Sequence, residues 1–230
     1  FHKSIGFSLL SLEHHRQTGS NAYPNRIYPT LGQSYAMLKN TDSALFYYTT
    51  AINESIKLND KYAVAAIYGY MANTYADRYE FKKMLEVSER SLKLSEELQS
   101  NQMLASSLYN IAYADYFNGD NMAARQHINK AMEIAVKDSL KDELINIYTV
   151  LSYITAREGD FKMSLWAKQK SDSIQQALLN EQVIRTTTEL EKKYESEKKD
   201  KQIILQRSQL EKRKVLNYIL IGSAVVLLIL

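Results

Sequence analysis

The stretch Ala105–Ala131, ASSLYNIAYADYFNGDNMAARQHINKA, decides the fold, because the chain 40 residues before it and 40 residues after it repeats its pattern without a gap. Rows begun at Asn25, Ala65, Ala105 and Ile145 place Gly32, Ala72, Ala112 and Ser152 in the eighth column, and Ala51, Ser91, Ala131 and Ser171 in the twenty-seventh. Two positions per unit therefore admit only small side chains, as expected where helix backbones pack closely. Large residues fill the fourth column (Tyr28, Tyr68, Leu108, Tyr148) and the seventh (Leu31, Met71, Ile111, Leu151). Self-similarity at such a period marks a stacked repeat architecture.

Within each row the apolar residues recur three and four apart, as in Ile67, Tyr68, Met71 and Tyr75, so about the first fourteen positions read as an amphipathic helix. Gly119-Asp120 and Gly159-Asp160 then supply a glycine stop and an acidic N-cap. A second helix follows, with Phe81, Leu85 and Leu92 in one row and Phe161, Leu165 and Ile174 in another, and the spacing predicts it to be longer than the first. Pro29 predicts a late start, near Tyr28 or Pro29, for the first helix of the first full unit.

This pattern resembles the tetratricopeptide repeat. Tyr28, Leu31, Gly32, Tyr35, Ala44, Tyr48 and Ala51 fill its seven signature places, while Asp115 and Thr155 depart from the tyrosine column. The family's usual period is about 34 residues, so the longer units here predict extended second helices or longer connections, such as Asn59-Asp60 and Ser100-Asn101. The alternative is a generic helical repeat of HEAT type. The resemblance implies an all-α, right-handed α-solenoid with repeat units at 25–64, 65–104, 105–144 and 145–182. Residues 1–24 read as the second helix of an upstream repeat plus a loop, which predicts further repeats before Phe1.

After the repeats the composition changes. Residues 183–214 form a charged stretch without Pro or Gly, predicting one long helix, with Val183, Leu190, Tyr194 and Ile204 at partial heptad spacing. A lone solvated rod and a homodimer through this linker helix both fit. Residues 215–230 are apolar and carry no charge, predicting a truncated transmembrane helix, since a span needs about 20 such residues. Lys212, Arg213 and Lys214 flank it, and residues 185–214 hold ten basic and six acidic side chains of a chain whose net charge is +3.

The order of these parts resembles membrane-anchored tetratricopeptide sensor proteins of Bacteroidetes. That resemblance implies a bacterial inner-membrane protein with one span, periplasmic repeats and an output domain past Leu230, any histidine kinase activity lying there. The basic flank alone argues for the opposite orientation. No cofactor, metal site or catalytic group is expected: the chain has no cysteine, its seven glycines stand singly, and His2, His14, His15 and His127 show neither ligand spacing nor a carboxylate pairing with a nucleophile. Interleaved acidic residues argue against nucleic acid.

In tetratricopeptide proteins the first helices line a concave groove, and the columns that face it collect Asn73, Asp77, Tyr109, Tyr113, Tyr116, Tyr153 and Arg157 here. Aromatics beside amides and charges suit a peptide or protein ligand. The carboxylate-clamping subgroup needs basic partners in the groove, and only Asn73 suggests it. The expected function is thus a sensor input region that passes binding through the rod to an output domain. A membrane-anchored scaffold without output is the alternative.

Overall fold

A computed structural model describes residues 2–18 and 24–229. Among them every regular element is an α-helix: α1 (His2–Thr18), α2 (Pro24–Met37), α3 (Thr41–Lys57), α4 (Lys61–Asp77), α5 (Phe81–Glu97), α6 (Asn101–Asn118), α7 (Asn121–Lys137), α8 (Lys141–Arg157) and α9 (Phe161–Ile229). The chain forms two compact units, Phe1–Gln175 and Gln176–Leu230.

In the first unit each helix packs on the next in sequence, from α1 to α8, and α2, α4, α6 and α8 also pack on one another in turn. That is a helical-hairpin solenoid. The expected difference in helix length is corrected. α3, α4, α5, α7 and α8 all have 17 residues and α6 has 18. The extra residues of the 40-residue period therefore extend both helices of each hairpin, and the connections stay at two or three residues.

Those short connections share one design. The second residue past the end of each of helices α2 to α8, or the first in the case of α6, takes up a left-handed backbone, at Lys39, Asn59, Tyr79, Gln99, Gly119, Ser139 and Gly159, with φ between 52° and 93°. The next N–H reaches the carbonyl five residues back, as from Asp120 to Asp115 at 2.9 Å and from Leu140 to Ala135 at 2.9 Å. This Schellman closure satisfies carbonyls that the helix end would leave orphaned. The same residue caps the following helix: Asp60, Asp120 and Asp160 accept from the backbone N–H groups of Ala63, Ala123 and Met163 at 2.9–3.0 Å.

The small columns are buried in every unit. Ser91 Oγ donates to the Ala65 carbonyl at 3.0 Å, and Ser171 Oγ repeats the bond to Ile145 at 3.0 Å. A larger side chain would push these helices apart. The core lies in two apolar clusters, one built around Ala44, Tyr48, Ile67 and Met84, the other around Leu108, Ile128, Ile147 and Ile154.

Pro29 lies inside α2 rather than at its start. The helix begins at Pro24, a position whose missing N–H costs no hydrogen bond. In α1, Ile5 and Leu12 are half-buried while Phe7 and Leu10 are exposed.

In the second unit α9 runs on without a break, and Val183, Leu190, Tyr194 and Ile204 are exposed along it. The expected membrane placement is corrected: among the described residues no helix is long and apolar enough to cross a membrane. Leu230, and the side chains of residues 222–229, lie outside the described residues. The single-pass inner-membrane, periplasmic assignment is therefore withdrawn. Lys212, Arg213 and Lys214 are exposed residues of α9, with Lys214 Nζ 3.0 Å from Glu211.

Candidate functional site

The first helices of the hairpins, α2, α4, α6 and α8, leave three cavities along their shared face. One of about 650 Å³ lies between α2 and α4, with Gln33, Lys39, Tyr70, Asn73 and Asp77 on its wall. Another, of about 150 Å³, lies between α4 and α6 beside Tyr70, Asn73, Tyr109 and Asn110. The third, about 280 Å³, is bounded by Asn73, Tyr109, Asn110, Tyr113, Asn146 and Tyr153. Asn73 lines all three, and Tyr109 and Asn110 line two, so the cavities are stations along one groove.

Backbone periodicity explains this alignment. Asn73, Tyr113 and Tyr153 occupy the same column of consecutive units, so packing α4, α6 and α8 side by side sets them in a row. Gly69, one turn before Asn73, leaves room where its neighbours carry side chains; a Cβ there would meet nothing within 4 Å.

The electrostatics of the groove are those of hydrogen bonding. Asn110 is 3% exposed and its side chain makes no hydrogen bond to protein among the described residues, but its amide atoms still reach the solvent of the groove; the exposed side chain of Asn73 has no protein partner either. Asn146 donates weakly to the Asp142 carbonyl at 3.4 Å. The Tyr109 hydroxyl is pushed up to about 12 by burial and by the nearby charge of Glu143, partly offset by its hydrogen bond with Asn146. It is therefore a donor at neutral pH and not a base. Burial, then the neighbouring Tyr153, raises Tyr113 as well. Glu143, buried behind this wall, accepts from Gln102 Nε2 at 2.9 Å.

The residues expected in the groove divide into two groups. Asn73, Tyr109, Tyr113 and Tyr153 line the cavities, as does Asp77, which is held by Lys39 Nζ at 2.9 Å. Tyr116 and Arg157 do not line these three cavities. The Arg157 guanidinium lies 3.5 Å from the centroid of the Tyr116 ring, donates to the Tyr116 carbonyl, and reaches Asn121 Oδ1 at 3.1 Å. They form a clasp at the groove's edge, next to an aromatic cluster in which Phe81 stacks on Phe117 at 4.2 Å and Tyr113 meets Phe117 edge-on at 4.8 Å.

Two groove residues escaped the sequence reading. Asn110 falls in a column whose other members are Thr30, Tyr70 and Val150, beside the core position, and an amide there is the signal that could have exposed it. Asn146 falls in a groove-facing column otherwise filled by Arg26, Ala66 and Ser106. One histidine does meet a carboxylate: His127 Nδ1 is 2.8 Å from Asp115 Oδ2, a pair joining α6 to α7. Asp115 stands in the column that holds Tyr35 and Tyr75 in earlier units, and the imidazole gives its carboxylate a hydrogen-bond partner.

No family model matches the chain. Over 131 residues, 56% of its length, it is 24% identical to response regulator aspartate phosphatase H of Bacillus subtilis (strain 168), and it spans 34% of that protein. A Rap protein solved in complex with competence and sporulation factor superposes with a TM-score of 0.63 at 18% identity, over 74% of this chain and 48% of the other. A putative kinesin light chain from Podosopora anserina with nearly identical TPR-like repeats superposes with a TM-score of 0.55 at 13% identity, over 74% and 85%. These likenesses establish the fold, a tetratricopeptide-like helical repeat.

Proposed function

We propose that the groove of the first unit binds an extended peptide, or an extended segment of a protein, by its backbone. The observation that carries this reading is Asn110, whose amide opens onto two stations of the groove with no partner among the described residues, in line with the exposed amide of Asn73. An amide offers a donor and an acceptor, matching one peptide group of a passing strand. In the free protein water meets these amides, and a bound backbone takes the place of that water. Tyr109, Tyr113 and Tyr153 present faces and hydroxyls for the ligand's side chains, the combination favoured at recognition surfaces. The structural relative captured with competence and sporulation factor supports reading this fold as a receptor for such ligands.

The groove performs binding and no reaction: its amides and its protonated Tyr109 neither attack nor remove protons at neutral pH. The finer reading is an input module of a signalling protein, with α9 carrying the change in helix packing onward. α9 supports it by beginning inside the last hairpin, where Ser171 bonds to Ile145, and continuing unbroken to Ile229.

The test is selection of peptides from a random-sequence display library on the full chain, followed by titration against the Asn73→Ala and Asn110→Leu variants. Binders that lose roughly tenfold or more in affinity, about 1.4 kcal/mol, support the reading. Binders indifferent to both substitutions would refute it.

A further inference from the structure

Away from the groove, a cavity of about 390 Å³ opens between the C-terminal end of α3 and the facing sides of α4 and α5. Its volume falls within the roughly 300–1,000 Å³ of small-molecule pockets. Its chemistry differs from that of the groove. The floor is apolar, made by Val64, Leu94 and the ring of Tyr68, with the exposed Ile56 at its edge. One polar atom interrupts it: Ser55 Oγ, fully buried and without a hydrogen-bond partner. The equivalent serine one unit later, Ser95, donates to the carbonyl four residues back at 2.7 Å. The unpaired hydroxyl is therefore particular to this cavity and does not follow from the helical position.

The rim is basic, and its charges can be accounted for singly. Lys61 is paired with Glu97 at 2.8 Å, and Asp60 is occupied in capping α4 through the Ala63 N–H at 2.9 Å. Arg90 is held by Glu86 at 2.6 Å, with its guanidinium 5.9 Å from the Tyr68 ring centroid. Lys93 also lines the cavity and, among the described residues, makes no direct hydrogen bond or ion pair, its charge being felt only by Glu97 one turn on, which Lys61 already holds. One cation is left over at the mouth of an apolar cavity whose floor holds one unpaired hydroxyl.

We propose that this cavity is a second binding site, separate from the groove, for a small amphipathic carboxylate: its apolar body over Ile56, Val64 and Leu94, its carboxylate at Lys93, and a second oxygen bonded to Ser55 Oγ. Charge complementarity selects an anion over a cation of the same shape, and the buried hydroxyl selects a body that carries an oxygen.

Amide NMR titration of the full chain with phenylpropionate, its para-hydroxylated analogue and phenylpropylamine tests the site. Both carboxylates should saturate shifts at Ile56, Val64 and Leu94, the hydroxylated one binding roughly threefold or more tighter, and the amine roughly tenfold weaker than either. Lys93→Glu, an exposed change that leaves the core intact, should abolish the preference for carboxylate. Ser55→Ala should remove only the advantage of the hydroxyl; if that variant proves unfolded by circular dichroism, Lys93→Glu decides alone. An amine that binds as well as the acids, a hydroxyl that adds nothing in the parent chain, indifference to Lys93→Glu, no saturable shifts at millimolar probe, or shifts confined to Asn73 and Tyr109 would each overturn the proposal. None of these outcomes bears on peptide binding in the groove.

Discussion

Arg157 on α8 lies over the ring of Tyr116 on α6, its guanidinium 3.5 Å from the ring centroid, and also donates to the Tyr116 carbonyl. One side chain thus caps the end of α6 and ties it to α8, so its first duty is to hold two groove helices at a fixed spacing. Arg157→Ala should cost about 1 kcal/mol, the scale of a partly solvated cation–π contact with one hydrogen bond. Chemical denaturation measures this, and Arg157→Lys should recover little, because an ammonium cannot stack and fork at once.

Gly32 faces the ring of Tyr48, which is only 2% exposed, and a Cβ at position 32 would overlap that ring. Gly32→Ala should destabilise the first unit by about 1–3 kcal/mol, the usual penalty of overpacking. A second change, Tyr48→Leu, should return part of that loss, and a thermodynamic cycle on the four proteins would reveal the coupling.

Five connections place a non-glycine residue in the left-handed region, among them Gln99 at φ 52° and Ser139 at φ 54°. Gln99→Gly and Ser139→Gly should each stabilise the chain by up to about 1 kcal/mol, and Gly119→Ala should destabilise it by a similar amount. Thermal midpoints of the three variants give the signs directly.

Burial raises the Asp115 carboxyl above its ordinary value, against the lowering effect of its hydrogen bond with His127. A raised folded-state value means that the native protein holds the proton to higher pH than the unfolded chain does, so this group's contribution to stability falls as pH rises from about the ordinary value of 3.8. Asp115→Asn, which keeps the shape and the hydrogen bond, should therefore be more stable than the parent at neutral pH, and the gap should close as pH falls through the acid range. Denaturation at several pH values tests the sign.

The repeat was legible because packing constrains it. Ala72, Ala112 and Ser152 must be small wherever α4, α6 and α8 meet their partners, and a forty-residue spacing of such constraints survives when other columns drift. Helix length was less legible, since Leu58, Leu98 and Leu140 look like further core periodicity although they already lie in the connections. In the groove, periodicity located Asn73, Tyr113 and Tyr153 but could not show that Arg157 and Tyr116 satisfy each other, because partners forty-one residues apart are fixed only by the stacking of hairpins. Asn110 was hidden for the converse reason: only the burial of its neighbours makes an unpaired amide informative. The apolar run from Val215 read as a membrane segment by composition alone, whereas among the described residues no helix is long and apolar enough to cross a membrane.

The most direct measurement concerns Asn110, whose amide adds little to the stability of the free protein and is used in the complex. Replacing it with Leu removes an amide that only solvent and ligand meet, so the thermal midpoint should not fall while affinity for peptides selected on the parent chain falls roughly tenfold or more. A variant that loses stability and keeps its peptide affinity would contradict the account.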